Sequence, residues 1–181
     1  MTSDIAVTML TTEELTPALR NAVIEVCVAA HHEEDFRNLF TYIPSGGRHF
    51  LAYRGEELVS HAVATTRWAQ PEGLPALRTA FVDAVSTRPV YEGLGYGSAA
   101  MAALVAAVAD FDVACLQTDI PGFYERLGWE LWHGPLAGRD ETGLVPTPDQ
   151  HGVMVHRLAR TPPLDLGVQL SIERQPNRIW E

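Results

Sequence analysis

The segment Glu92-Gly93-Leu94-Gly95-Tyr96-Gly97 carries the strongest chemical signal in the chain. Glycines let the backbone approach a ligand closely, and the N–H groups at the start of a following helix form an anion site. The apolar run that begins at Ser98 supplies such a helix. The spacing is GxGxG after the fourth candidate strand, whereas a dinucleotide fold needs GxGxxG after its first. On spacing alone, a glycine turn without a ligand is the other reading. His31-His32-Glu33-Glu34-Asp35 gathers groups that can bind metals. Adjacent histidines on a helix point to different faces, so a solvated acidic turn is expected and no metal. His61, His133, His151 and His156 have no ligand spacing and are expected to make ordinary hydrogen bonds. Cys27 and Cys115 sit in apolar stretches and are expected as buried free thiols. Cys115 lies inside an apolar strand pattern, where a thiol is inert. By residue type alone, a tyrosine such as Tyr124 in a short helix packs.

The chain around these residues has 181 positions, the size of one domain, taken as 1–181 with an irregular tail from 161 to 181. With 46% hydrophobic and 20% charged residues it buries a core, which excludes disorder and a disulfide framework. The 13 basic and 23 acidic residues leave a net charge of −10, which argues against a nucleic-acid partner. That charge suits a cationic partner, and equally serves solubility. Every basic residue is arginine, so Schiff-base chemistry and a Walker-type phosphate lysine are excluded. The longest apolar stretch, 99–109, is far shorter than the roughly 20 residues of a membrane span. The opening Met-Thr-Ser-Asp carries no basic-then-apolar signal. A soluble, cytoplasmic protein with no membrane partner is expected.

The elements that must position the candidate residues are read from patterning. A strand is predicted over 5–10 and a helix starting near Thr11, with a Thr11/Glu14 capping box, running to about Ala30. The stretch 31–45 reads as loops with a short helical piece. Gly55 marks a hairpin between runs at 50–53 and 58–64, a turn region is expected over 68–75, and a strand is predicted over 76–87. After the glycine segment come a helix over 98–109, a strand over 112–118, a short helix over 122–127, and strands over 129–133 and 152–158. A polar insertion, 134–151, is broken by Pro135, Pro146 and Pro148, and the tail shows no convincing helix. The order describes a mixed α/β (α+β) domain.

The run Val82-Asp83-Ala84-Val85-Ser86-Thr87-Arg88-Pro89, then Glu92 to Gly97 and an apolar helix, resembles motif A of the GNAT acetyltransferase superfamily. Phe123-Tyr124-Glu125-Arg126-Leu127-Gly128-Trp129 is similar to the family's FYxxxGF element. The resemblance covers roughly Ile5 to Leu158 and implies the GNAT fold, a mixed central sheet flanked by helices. It implies that Val85, Ser86 and Thr87 meet the pantetheine arm of acetyl-CoA. The backbone of Glu92, Gly93, Leu94, Gly95, Tyr96, Gly97 and Ser98 would hold the pyrophosphate. The family usually carries Arg or Gln where this chain has Glu92, whose side chain must then point away, and Arg88 could supply the positive charge. Tyr124 is implied as the acid that protonates the leaving thiolate.

Outside those blocks the resemblance narrows. Gly128 to Pro135, the later Thr147-Pro148-Asp149, Asp35-Phe36 and a tryptophan near the C-terminus look like the aminoglycoside 2′-N-acetyltransferases. Asp35 and Asp83 fall on that family's amine-binding positions, Trp180 on its terminal tryptophan and Arg178 where it carries an acid, and the resemblance implies all four as substrate contacts. The resemblance implies transfer of acetyl from acetyl-CoA to the 2′-amine of an aminoglycoside-type small molecule, without a metal or covalent intermediate. Asp83 would take the amine proton. The reversed charge at Arg178 points to a substrate with fewer amines and an acidic group, of which kasugamycin is an example. The alternatives are another small amine (a polyamine or a peptide N-terminus) or a non-catalytic domain that binds acyl-CoA or a drug. The apolar strand edges leave room for a homodimer.

Overall fold

A computed structural model of the chain describes residues 5–176 and 178–180, so the opening four residues lie outside it. In chain order the elements are β1 (Val7–Thr11), α1 (Pro17–His31), a 3-10 turn (Glu34–Asn38), α2 (Leu39–Tyr42), β2 (Arg48–Arg54), β3 (Glu57–Pro71) and β4 (Leu77–Thr87). A second 3-10 turn (Pro89–Tyr91) leads to α3 (Tyr96–Ala107), β5 (Val113–Gln117), α4 (Pro121–Glu125) and β6 (Glu130–Leu131). The last strands are β7 (Leu136–Asp140), β8 (Gly143–Pro146), β9 (Val153–Arg157) and β10 (Leu170–Glu173). They form two compact units, Met1–Thr65 with Val82–Ala107 and Thr66–Phe81 with Val108–Glu181.

In the first unit the helix start differs from the expected one. The Thr11/Glu14 pair is present, with Thr11 N–H and its hydroxyl donating to Glu14 Oε2 at 2.7 and 2.9 Å, but it closes a turn. The helix begins at Pro17, and the Thr16 hydroxyl caps it by accepting from Leu19 N–H at 3.2 Å. Thr16 is extended because a residue before proline avoids the helical region, while proline suits a first helical turn. His32 ends α1 in the left-handed region, with φ 57° and its N–H on Val28 O at 2.8 Å. The buried face of α1, Val23, Val26 and Cys27, packs with Leu39, Ile43, Leu51, Leu58 and Val63. Strands β1, β2 and β3 pair antiparallel, and Gly55 at φ 60° makes the predicted hairpin. Arg48 Nη1 donates to Ala107 O at 2.6 Å, placing a cation at the C-terminus of α3.

In the second unit the strand order is β6-β9-β5-β4-β3-β10-β7-β8, with β4 and β3 entering by their 77–81 and 66–71 portions. Pairing is antiparallel for β10 with β3 and parallel for β10 with β7, so the sheet is mixed, as the predicted class requires. Three local expectations are corrected. The first half of the turn expected over 68–75 is strand: exposure alternates from Thr66 to Pro71, and Ala69 and Pro71 pair with Ile172 and Leu170. The turn itself shrinks to the residues around Gly73, at φ 82°. The polar insertion forms the β7–β8 hairpin, and the tail, expected to be irregular, contributes β10. Leu170 and Ile172, at 1% and 0% exposure, alternate onto a core that holds Phe81, Trp132, Leu136, Val155 and Trp180. No helix among the described residues is long and apolar enough to cross a membrane.

Candidate functional site

Strand β4 is irregular where the motif places its ligand-facing residues. Ala84 has φ 50°, a left-handed conformation that a residue with a side chain rarely adopts without support. That support comes from side chains, which take three consecutive carbonyls of the strand. His61 Nδ1 lies 2.9 Å from Ala84 O, His31 Nε2 lies 3.1 Å from Val85 O, and the Ser60 hydroxyl donates to Ser86 O at 2.8 Å. The Ser86 hydroxyl also donates to Ala84 O at 3.2 Å, so it can only accept from His31 Nε2, 3.0 Å away. Both contacts require His31 to carry its proton on Nε2. Asp83, Val85 and Thr87 are partly buried here and Ser86 is buried.

His31 also brings the acidic turn to this strand. Its ring stacks on Phe36 with centroids 4.8 Å apart, and Asp35 is exposed beside it in the 3-10 turn. Arg37 ties that turn down through Glu25, at 2.9 Å, and Glu34. Among the described residues, no group of three or more His, Cys, Asp or Glu side chains is placed to hold a metal. Both cysteines are buried free thiols. Burial pushes the Cys27 thiol up to about 11 and the Cys115 thiol up to about 12, so neither is a thiolate near neutral pH.

The glycine segment comes after β4. Gly93 and Gly95 sit at φ 74° and 91°, and residues 92–95 are exposed. Ala99 N–H closes the first turn of α3 onto Gly95 O at 2.9 Å, so the N–H groups of Tyr96, Gly97 and Ser98 precede that turn. These are donors that can bind an anionic group. Glu92 is exposed, and its N–H turns back to Pro89 O at 3.3 Å. Arg88, named from sequence as the compensating cation, is held instead by Leu58 O, at 3.1 Å, and Glu57, at 3.7 Å. Arg54 is a cation beside Tyr91, which leads into the segment, its guanidinium over that ring, 5.3 Å from the centroid.

In the second unit Tyr124 is buried on α4, edge-on to Phe123 and Trp129 at 4.9 and 6.1 Å. Burial pushes its phenol up to about 12, so it keeps its proton at neutral pH and is available as an acid. Gly128, at φ 85°, lets the chain turn back so that Trp129 N–H reaches Tyr124 O at 3.1 Å. This gives the FYxxxG pattern a physical basis. Trp180, named as a substrate contact, is fully buried in the core of its unit. Arg178 is partly buried, and its backbone pairs with Gln175 at 3.0 and 3.1 Å. The sequence reading missed His49 and Ser60, placed His31 only in a solvated acidic turn, and gave His61 only an ordinary hydrogen bond. The signal was available: the hairpin at Gly55 sets His49 opposite Val63 and His61 opposite Leu51, which makes the two imidazoles diagonal neighbours.

A family model described as an acetyltransferase (GNAT) domain matches residues 9–132. An aminoglycoside 2′-N-acetyltransferase of Mycolicibacterium fortuitum is 26% identical over 175 residues, covering 93% of this chain and 86% of that protein. Among solved structures, a GNAT family N-acetyltransferase of Escherichia coli in complex with CoA superposes with a TM-score of 0.66 at 14% identity, covering 96% of this chain and 92% of that one. Eis1 of Mycobacterium abscessus gives 0.60 at 18% identity, covering 72% of this chain. Several solved relatives, Eis1 among them, are much longer, and the chain spans 33–34% of their length.

Proposed function

The chain belongs to the GNAT acetyltransferase family, and from that premise we propose that it transfers acetyl from acetyl-CoA to a primary amine of an aminoglycoside-type amino sugar, at the 2′ position. The observation that supports the substrate class is the likeness, along 93% of the chain, to an aminoglycoside 2′-N-acetyltransferase. The loop N–H groups of 93–98 hold the pyrophosphate, and the Val85–Thr87 backbone aligns the pantetheine arm. Attack is direct, within a ternary complex, so proximity supplies much of the rate. The N–H of Val85 polarises the thioester carbonyl, Asp83 takes the amine proton through water, and Tyr124 returns a proton to the departing thiolate. Asp35, exposed on the turn that reaches β4 through His31 and Phe36, attracts the ammonium groups of the sugar.

The loop assignment has a direct consequence. A β-carbon at Gly95 would meet only Ile5 Cδ1 at 3.6 Å, so space is available and the backbone angle is the constraint. A β-branched side chain at φ 91° carries strain of about 1–2 kcal/mol and screens the neighbouring N–H groups. The free loop can relax that strain and binding has to restore it, so Gly95→Val is expected to weaken acetyl-CoA binding by roughly 5–30-fold in a calorimetric titration. An unchanged Kd would remove the loop from the site.

Selectivity tests the substrate. Arg178 replaces an acid with a cation and so favours an amino sugar that also bears a carboxylate, kasugamycin being the compound to use. In the wild type, kcat/KM for that substrate is expected to exceed kcat/KM for polycationic aminoglycosides, and Arg178→Asp should reverse the order. A wild type that prefers the polycations, with selectivity unchanged in Arg178→Asp, would take the tail out of substrate selection.

A further inference from the structure

The acetyl-transfer mechanism leaves unused a buried line of polar groups that ends on the peptide bearing the Val85 N–H. Thr12 Oγ1 lies 3.1 Å from His49 Nε2, His49 Nδ1 lies 2.9 Å from His61 Nε2, and His61 Nδ1 lies 2.9 Å from Ala84 O. Both imidazoles are fully buried. The proton positions along the line are set by its last member. A carbonyl only accepts, so His61 carries its proton on Nδ1, and its neutral ring then offers Nε2 as an acceptor. His49 must donate from Nδ1, which leaves its Nε2 as an acceptor facing the Thr12 hydroxyl; at 3.1 Å it is the nearest of that hydroxyl's acceptors, ahead of Pro44 O at 3.2 Å and Gly47 O at 3.3 Å. With His49 protonated on Nε2 instead, two lone pairs would face each other between the rings. The line therefore runs one way, from Thr12 to Ala84.

The surroundings keep it in that state. Burial, aided by His61 and the Arg20 guanidinium, holds His49 down to about 3, and burial holds His61 down to about 4. Cys27 Sγ stands 3.9 Å from His61 Nδ1 and is itself a neutral thiol. Arg20 is occupied by Thr12 O, at 2.7 Å, and Leu15 O. Ala84 O thus takes two donors, His61 Nδ1 and the Ser86 hydroxyl. Hydrogen bonds to a peptide oxygen polarise the whole unit and make its N–H a stronger donor, and the N–H of this unit belongs to Val85.

We propose that His61, backed by His49 and Thr12, is a positioning residue that fixes and polarises the Ala84–Val85 peptide so that the Val85 N–H is preset for the thioester oxygen. This role rests on the acetyl-transfer reading and adds to it a reason for two buried histidines behind a strained residue. His61 never touches the substrates and acts through the peptide.

The test has two arms. In the 15N imidazole spectrum of the wild-type protein, His49 and His61 should both appear as Nδ1–H tautomers, and an Nε2–H tautomer for His61 overturns the proposal without any variant. In the second arm, His61→Leu removes the donor, whereas His61→Asn places an amide N–H where Nδ1 stood. Losing a direct oxyanion donor costs about 10²–10³-fold, so losing its support should lower kcat by about 10-fold in His61→Leu. The Kd for acetyl-CoA should stay within about 3-fold, and His61→Asn should recover most of kcat. Equal kcat in the Leu and Asn variants overturns the role. A wild type that acetylates no amino sugar, polyamine or peptide N-terminus refutes the acetyl-transfer reading itself, and the role falls with it.

Discussion

Tyr124→Phe is expected to lower kcat by about 10²–10⁴-fold, the usual worth of a positioned general acid, while the Kd for acetyl-CoA changes little. The variant removes one oxygen from a ring that keeps its packing against Phe123 and Trp129, so stability should barely move. The sign of the pH effect is set by burial. The phenol is pushed up to about 12, so it stays protonated through the whole working range. Its deprotonation should therefore cause no loss of activity below strongly alkaline pH, and steady-state kcat measured from neutral to alkaline pH checks it. A Phe variant with wild-type kcat would return Tyr124 to the packing role that its residue type alone suggests.

Trp180→Ala is expected to unfold the protein's second unit more readily and to affect catalysis only as a consequence. The indole is fully buried among Phe81, Leu136, Leu170 and Ile172. Truncating a buried tryptophan costs about 3–5 kcal/mol, which for a chain of this length lowers Tm by roughly 6–20 °C. Calorimetry on the variant separates the two roles this residue could have. A drop in Tm with kcat/KM preserved at low temperature marks a core residue, whereas an unchanged Tm with a raised KM for the amine would mark the substrate contact that the sequence suggested.

Trp180 shows where sequence reading stops. Its identity and position near the C-terminus matched a family pattern, but burial depends on β10, and β10 was not legible. It is four residues long and pairs with β7 along all four and with β3 along three, strands far away in sequence, so local pattern carried almost no signal. The β7–β8 hairpin was hidden for the opposite reason, since Pro146 lies at the end of a strand, where proline is tolerated, and not in a loop. The glycine segment, the β2–β3 hairpin and α3 were legible because each rests on a local rule. The irregularity at Ala84 was not, because nothing in an alanine announces φ 50°. What imposes it is tertiary: His31 arrives from the end of α1, His61 and Ser60 from β3. The helix start moved for a local reason that could have been applied, since Thr16-Pro17 is a stronger start than Thr11-Thr12.

The family and the fold place this chain among enzymes that move an acetyl group, and the acceptor assigned above is an amine. The most direct measurement is the release of free CoA thiol from acetyl-CoA, with and without a panel of amines. The panel holds amino sugars with and without a carboxylate, polyamines and peptide N-termini, and mass spectrometry of the products runs alongside. Amine-dependent thiol release is expected, fastest with an amino sugar, with a product heavier by one acetyl group on nitrogen. Acetyl-CoA that binds and raises Tm, but yields no thiol with any amine, would contradict it and leave a domain that binds acyl-CoA without turnover.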